Sequence, residues 1–194
     1  MTVVFSQIIS IFELMNLAFY KTIEQSNASP KSRKAIAQSV VENLDHLSDL
    51  IVIAFNIADK NHHKAVWIFE ILAEENPDLL LPFVDTICET CPKYQHESAI
   101  RGISRVIYFL ATSKIIALTA SQKEKCIEVS LDWLIGDIKV APKVYAMYTL
   151  SYFMKEFNWL KDELKNTIDK DFYAQSSGYK AAAREVLKQI QKNN

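Results

Sequence analysis

Two hydrophobic patterns alternate along this chain, and they constrain its fold more than any other feature. The first pattern places a small or medium-sized residue at position i and apolar residues at i+1 and i+4, and it recurs after 34, 44 and 36 residues. Such spacing puts the three side chains on one helix face that packs closely against a neighbour. The four sets are Ile68/Phe69/Leu72, Gly102/Ile103/Val106, Ala146/Met147/Leu150 and Ala182/Ala183/Val186.

The second pattern has apolar residues at i, i+4 and i+8, and it recurs after 33, 47 and 33 residues. Two interleaved helical patterns with a period of 33 to 47 residues are typical of a solenoid of helix pairs. We therefore predict an all-α fold, a right-handed α-α superhelix of about nine helices in antiparallel pairs. The sets of the second pattern are Leu47/Ile51/Phe55, Leu80/Val84/Cys88, Ile127/Leu131/Ile135 and Leu160/Leu164/Ile168.

The positions of Pro, Gly and Ser agree with this interpretation. With 3 Gly and 5 Pro in 194 residues, the chain has little material for the tight turns of a β-sandwich or barrel. The segment from Ala111 to Ser121 predicts a helix extension and a loop, and Thr119 or Ser121 with Glu124 resembles a helix cap. We predict a single domain over residues 1–194. The other predicted helix ends are Ser29-Pro30, Asn76-Pro77-Asp78, Cys91-Pro92, Gly136-Asp137 and Ser176-Ser177-Gly178.

Residues 1–24 predict an N-terminal capping helix or an extension. They contain no basic segment and no small-residue cleavage site of a signal peptide, and the apolar run is too short to span a bilayer. Met1 and Met15 are both candidate natural starts. An odd number of cysteines indicates reduced thiols, so we expect a cytoplasmic protein. Apolar residues recur at helical spacing through Val4, Ile8, Ile11, Phe12, Met15 and Phe19.

The charge balance excludes attraction of nucleic acid or membrane by bulk charge. The chain carries 22 Lys and Arg against 23 Asp and Glu, a net charge of −1, so only local patches can attract such partners. Helices of the first pattern carry a candidate basic stripe, and those of the second carry acidic residues. The alternative is a solvated face with pairs such as Arg101 with Glu97. The candidate partner contacts are Arg101, Arg105, Lys143, Tyr145 and Arg184; the acidic residues are Asp85, Asp132, Asp137, Asp162, Glu163, Asp169 and Asp171.

One group of residues has the spacing of a metal site. Cys88-x-x-Cys91 is followed by His96, and His62 and His63 precede it by one repeat, so a tetrahedral zinc site is conceivable. However, Cys88 occupies a core position of the second pattern, and a single CxxC is weak support. The chain has no Gly-x-Ser-x-Gly, Walker or Rossmann motif. We therefore predict no catalytic site, no metal and no cofactor.

Several segments resemble HEAT or armadillo-type repeats. The resemblance rests on residues 65–72, 76–82 and 96–101, and residues 139–147 and 177–181 resemble a narrower group of short bacterial HEAT-like proteins of flavobacteria. It covers roughly residues 15–192. Some members of that group carry the label adenylosuccinate lyase. That superfamily has a Ser-x-x-Met-Pro-x-Lys-x-Asn loop, and the nearest segment here, residues 176–180, lacks the Met, the Pro and the Asn.

The three tryptophans leave a second function open. Trp67 aligns with Arg101 and Tyr145 in the repeat, while Trp133 and Trp159 lie near helix joints. Aromatic residues beside basic ones stack on nucleic-acid bases, as in the HEAT-like alkylpurine DNA glycosylases that this repeat type resembles. Core packing is the alternative role for Trp67 and Trp133.

These observations predict a non-catalytic HEAT-like module that binds another macromolecule, most simply a protein. The alternative is a nucleic-acid-binding or base-processing HEAT-like protein. A third candidate function, adenylosuccinate lyase, rests on the label alone. We expect no membrane partner.

Overall fold

Ten α-helices make up most of the chain that the structure describes. The structure, a computed structural model, describes residues 16–192, and no β-strand occurs in that range. None of the helices in this range is long and apolar enough to cross a membrane. The all-α prediction is therefore confirmed. The helices are α1 (Leu17–Gln25), α2 (Pro30–Glu42), α3 (Asp45–Phe55), α4 (His62–Glu75), α5 (Val84–Thr90), α6 (Glu97–Thr112), α7 (Ala120–Ile135), α8 (Val140–Phe153), α9 (Trp159–Asp171) and α10 (Ser177–Lys192).

Helix ends fall where the punctuation predicts them. Pro30 is the first residue of α2, and the hydroxyl of Ser29 accepts a hydrogen bond from the backbone N–H of Ser32 at 3.3 Å. Thr119 caps α7, but its partner is Gln122 and not the predicted Glu124, because Gln122 is the third residue of the helix. Their side chains and backbone N–H groups pair reciprocally at 3.0 and 3.2 Å. Two 3₁₀ turns, Pro77–Leu79 and Leu81–Phe83, lie between α4 and α5, and a third, Cys91–Lys93, lies between α5 and α6.

The chain divides into two compact units. Unit 1 ends at Ile68 and unit 2 begins at Phe69. The boundary between the units lies within α4, since both residues belong to that helix. Because the chain divides in this way, the single domain remains a prediction, and so does the superhelix of the whole chain. In unit 2, α8 packs against α6, α7, α9 and α10, and α5 packs against α7. Helices two apart in sequence are thus adjacent in this unit.

The first hydrophobic pattern is confirmed throughout. Every one of its residues is buried, from Ile68 in the first set to Val186 in the last. Gly102, Ala146 and Ala182 are the small members, and all three are buried. The core of unit 2 is therefore built on the face that this pattern marks on α6, α8 and α10.

The second pattern is only partly right. Leu80, Val84 and Cys88 are buried, and so is the last set on α9. On α7, Ile127 is buried and Leu131 is half-buried, but Ile135 is 66% exposed. The buried face of this helix also contains Cys126, Ser130 and Leu134. On α3 the buried residues are Leu50, Ile53 and Ala54, whereas the predicted set is half-buried. A strict i, i+4, i+8 spacing drifts by about 40° per step around a helix, and on α7 this drift places Ile135 outside the buried face.

The predicted N-terminal helix falls mostly outside the described residues. Val4 to Met15 are not described, and neither candidate start is. The described part begins with α1, in which Phe19 and Ile23 are buried. The side chain of Asn16 caps this helix by accepting hydrogen bonds from the N–H groups of Ala18 and Phe19.

Candidate protein-binding surface

Three tyrosines of α8 share one face of that helix. Tyr145, Tyr148 and Tyr152 follow one another at steps of three and four residues, the spacing of neighbours on a helix surface. Tyr145 and Tyr148 are half-buried, and Tyr152 is 39% exposed. Tyr108 of α6 joins them, with its ring centroid 5.9 Å from that of Tyr145 and 6.1 Å from that of Tyr148. Four tyrosine rings therefore lie close together on the solvent side of α6 and α8.

A groove of about 380 Å³ runs beside these rings between α6, α8 and α10. We call it the tyrosine groove. The phenol of Tyr148 donates a hydrogen bond to Glu185 Oε2 at 3.1 Å, and the hydroxyl of Ser151 donates to Gln189 Oε1 at 2.6 Å. Partial burial and the bond to Glu185 both raise the pKa of Tyr148, so the phenol stays neutral at physiological pH. The lining residues are Tyr108, Thr112, Tyr148, Ser151, Tyr152, Lys155, Glu185 and Gln189.

Arg105 lies at the edge of this surface but is committed to contacts within the chain. Its guanidinium forms an ion pair with Glu70 and is 3.9 Å from Glu74. The same group lies over the rings of Phe109 and Tyr145, at 5.1 and 5.5 Å from their centroids. Arg105 therefore positions Tyr145 and neutralises a buried carboxylate.

The structure removes Lys143 from the candidate surface. Its side chain is 5% exposed, and its ammonium group donates a hydrogen bond to the backbone oxygen of Leu134 at 3.1 Å. Lys143 lies on the inward face of α8, because it is about 200° around the helix from Tyr145. A cation at the last carbonyl groups of α7 stabilises that helix end. The prediction that Lys143 contacts a partner is wrong for this reason.

Arg101 and Arg184 are both exposed, so they stay candidate contacts for a partner. Arg101 lies on α6 one turn before Arg105. Glu97, which the sequence offered as a partner for Arg101, forms an ion pair with Lys139 at 3.4 Å. Arg184 lies over the ring of Phe172, 5.4 Å from its centroid. In the tyrosine groove, α10 presents the acidic Glu185 and the neutral Gln189 to α8. The charge of this surface is therefore mixed.

The cysteines of the candidate metal site pack in the core of unit 2. Cys88 Sγ is 3.8 Å from Cys126 Sγ, and burial raises the pKa of the Cys91 thiol well above its ordinary value. His96 is exposed and caps α6 through its ring nitrogen, which accepts a hydrogen bond from the N–H of Ser98 at 3.2 Å. Among residues 16–192, no three His, Cys, Asp or Glu side chains are placed to hold a metal.

A polar cluster in unit 1 holds α1 against the loop before α4. Asn61 donates a hydrogen bond to the phenol of Tyr20 at 3.0 Å, and that phenol donates to Asp59 at 3.2 Å. The same loop is linked to α1 by the ion pair between Lys60 and Glu24 at 2.6 Å. His62 is buried here, with its Nδ1 at 2.6 Å from the backbone oxygen of Asp59. These bonds order the start of α4.

Tryptophan positions separate into core and surface. Trp133 is 7% exposed, in agreement with a packing role, and Trp67 is half-buried with its ring edge-on to His63. Trp159, the first residue of α9, is 53% exposed.

Sequence reasoning found Tyr145 but missed Tyr108, Tyr148 and Tyr152. The spacing of the α8 tyrosines was a usable signal, since residues at steps of three and four share a helix face. Their contact with Tyr108 depends on how α6 and α8 pack. In comparisons with known proteins, no family model and no curated protein matches this chain. Membership of the HEAT-like group therefore remains a prediction.

Proposed function

We propose that this chain is a non-catalytic helical-repeat module and that the tyrosine groove is its docking surface for another protein. The observation that carries the proposal is the cluster of Tyr108, Tyr145, Tyr148 and Tyr152 beside an open groove. Tyrosine is enriched in protein interfaces because its ring offers a large apolar area and its hydroxyl makes a hydrogen bond at little entropic cost.

The charges around the groove favour a protein over a nucleic acid. Lys155 lies near one end, with its ammonium 5.5 Å from the centroid of Tyr152, but Glu185 lies between α8 and α10. Arg105, the cation nearest to Tyr145, is already paired with Glu70. A phosphate backbone needs several available cations along its path, whereas a protein segment matches a surface of mixed charge.

The same proposal includes a HEAT-like arrangement and a reducing compartment. The adjacency of α6, α8 and α10 in unit 2 is what stacked helix pairs produce, and such stacks present extended binding surfaces. The three cysteines are free thiols buried in the core, which suits the cytoplasm.

A comparison of two tyrosine variants tests the proposal. The tagged protein is captured from native lysate, with and without nuclease treatment, as wild type, as Tyr152→Ala and as Tyr173→Ala. Tyr173 is the matched control because it is 88% exposed and does not line the groove. We expect the wild type and the control to retain the same protein in stoichiometric amount and Tyr152→Ala to lose most of it. Retention that disappears with nuclease, or that all three proteins share equally, contradicts the proposal.

A further inference from the structure

A second groove lies between α7 and the start of α9, and it shares no residue with the tyrosine groove. It has a volume of about 370 Å³. Apolar side chains form its floor, and two carboxylates, Glu124 and Glu128, stand at its rim. We call it the acidic groove. Its apolar residues are Ile127, Leu131, Phe157 and Trp159.

The walls of the acidic groove are held in place by contacts within unit 2. Lys123 of α7 pairs with Glu156 at 2.7 Å, which ties α7 to the loop before α9. In that loop, the N–H of Phe157 donates a hydrogen bond to the backbone oxygen of Phe153 at 2.9 Å. The rings of the same two residues also meet edge to face. The groove is thus formed before any ligand binds, so little ordering entropy opposes binding.

Large apolar side chains at and beside this groove remain in contact with water. Trp159 is 53% exposed and Ile135, two turns after Glu128 on α7, is 66% exposed. Tryptophan in a partly closed apolar site is the residue that most often dominates the binding energy of an interface.

The exposed side of α7 next to the groove is acidic. Glu124, Glu128 and Asp132 are all exposed and follow one another at intervals of four residues, about 6 Å along the helix. The two lysines of this helix do not neutralise them. Lys123 is paired with Glu156, and Lys125 is bonded to Asp85 and Glu89 at 2.7 and 3.1 Å.

We propose that the acidic groove binds a cationic amphipathic helix of a partner protein. The apolar face of the partner helix would cover Leu131, Phe157 and Trp159. It would be two or three turns long, which matches the length of α7 from Glu124 to Asp132. Lys or Arg residues four apart on such a helix would meet the carboxylates at the same spacing. This site does not depend on the tyrosine groove, since a protein can use either surface without the other.

Another copy of this chain is a poorer occupant. Among the helices within residues 16–192, α10 is the candidate, because it carries Arg184, Lys188 and Lys192 at intervals of four residues. Its apolar face, however, is already buried in unit 2 through Ala183 and Val186. A helix cannot place the same face in two sites, so the cationic helix comes from a different protein.

A defined peptide tests this proposal. The probe is a fluorescently labelled 18-residue peptide with Leu at the helical apolar positions and Lys at the polar ones, and its counterpart has Glu in place of Lys. Anisotropy titrations compare the wild type with Glu124→Gln/Glu128→Gln and with Asp45→Asn/Asp78→Asn. The second pair is exposed, lies outside the groove and changes the net charge equally.

We expect the lysine peptide to bind the wild type and the Asp45/Asp78 variant alike, and the Glu124/Glu128 variant about tenfold more weakly. Trp159→Ala should lower the affinity further, while the glutamate peptide should not bind. Equal affinity for all variants, or equal weakening by both charge pairs, overturns the proposal.

The two proposals fail separately in these assays. Peptide affinity should be unchanged in Tyr152→Ala, and partner capture through the tyrosine groove should be unchanged in Glu124→Gln/Glu128→Gln. If Tyr152→Ala loses the lysine peptide as well, the acidic groove is not an independent site and the proposal is overturned. Every substitution is either an isosteric change or a truncation at an exposed position, and circular dichroism verifies that each variant keeps its helix content.

Discussion

The guanidinium of Arg105 forms an ion pair with the carboxylate of Glu70, whose side chain is 6% exposed. The pair joins α4 to α6 within unit 2, and it lies directly beside Tyr145. A residue that the sequence offers as a contact for a partner is therefore first of all a structural cation. In the proposed docking surface, Arg105 acts indirectly, since its guanidinium lies over the ring of Tyr145.

Removing the cation should destabilise the fold. Arg105→Met removes the cation that pairs with the buried carboxylate of Glu70, and the free energy of unfolding should fall by about 3 kcal/mol. Arg101→Met is the matched control, because Arg101 is exposed one turn earlier on the same helix, and it should change stability by less than about 0.5 kcal/mol. Urea unfolding followed by circular dichroism measures both. Equal losses in the two variants would show that the ion pair contributes nothing.

Sequence patterns located the core well because burial leaves a periodic record. The sets from Ile68 to Val186 are all buried, and the helix ends at Ser29-Pro30 and Thr119 follow from local chemistry. Such features depend on residues close together in the chain. They need no knowledge of how the helices pack.

The candidate site was harder to predict for the opposite reason. Lys143 is charged and was expected at the surface, yet it is buried because the end of α7 supplies the carbonyl of Leu134 as its partner. Tyr108 contacts Tyr148, and Arg105 pairs with Glu70. The residues of each pair are 35 or more positions apart in the sequence. A single sequence contains no record of which distant side chains meet.

Lys143 should therefore matter for stability and not for binding. Lys143→Ala removes a buried aliphatic stem and the hydrogen bond to Leu134, so we expect a loss of about 2 to 3 kcal/mol. Lys139→Ala, at a side chain that is 72% exposed, should be close to neutral. Thermal unfolding gives the comparison, and partner capture at a temperature where both variants are folded should be unchanged. A Lys143→Ala variant that is fully stable but no longer binds would restore this residue to the binding surface.

Gly136 and Gly178 are predicted to respond in opposite ways to substitution by alanine. Gly136 ends α7, and a Cβ there would lie 2.8 Å from the backbone oxygen of Asp132, so Gly136→Ala should cost about 1 kcal/mol or more. A Cβ at Gly178, in the first turn of α10, would meet only ordinary contacts at 3.8 and 3.9 Å. Gly178→Ala should be neutral or stabilising by about 0.5 kcal/mol, because alanine favours the helix. Melting temperatures that rank the variants in the reverse order would contradict the geometry.

Alkaline pH should destabilise the protein through its buried thiols. A hydrogen bond with Cys88 and burial raise the pKa of Cys126, and burial raises that of Cys91. Thiols of the unfolded chain ionise at about pH 8.5, while the buried thiols of Cys91 and Cys126 stay protonated in the native state. The contribution of these thiols to the free energy of unfolding is therefore complete below about pH 8.5 and is lost as the pH rises. Burial raises the pKa of Tyr179 to about 12, so this residue adds a further loss of stability above about pH 10.

The measurement is the urea midpoint at pH 7.5 and at pH 9.5, for the wild type and for Cys91→Ala/Cys126→Ala. The wild type should lose more stability between the two pH values than the variant does, whatever the difference at pH 7.5. Identical pH dependence would show that other groups cause the alkaline loss.

Site-specific photo-crosslinking in living cells tests the central claim most directly. A photoreactive phenylalanine derivative is placed at position 152 in the tyrosine groove and, as the control, at position 173. Our account predicts one discrete protein adduct from position 152 and none of that mass from position 173. The absence of a protein adduct at position 152, or the same adducts from both positions, would contradict the assignment of this groove as a protein-binding surface.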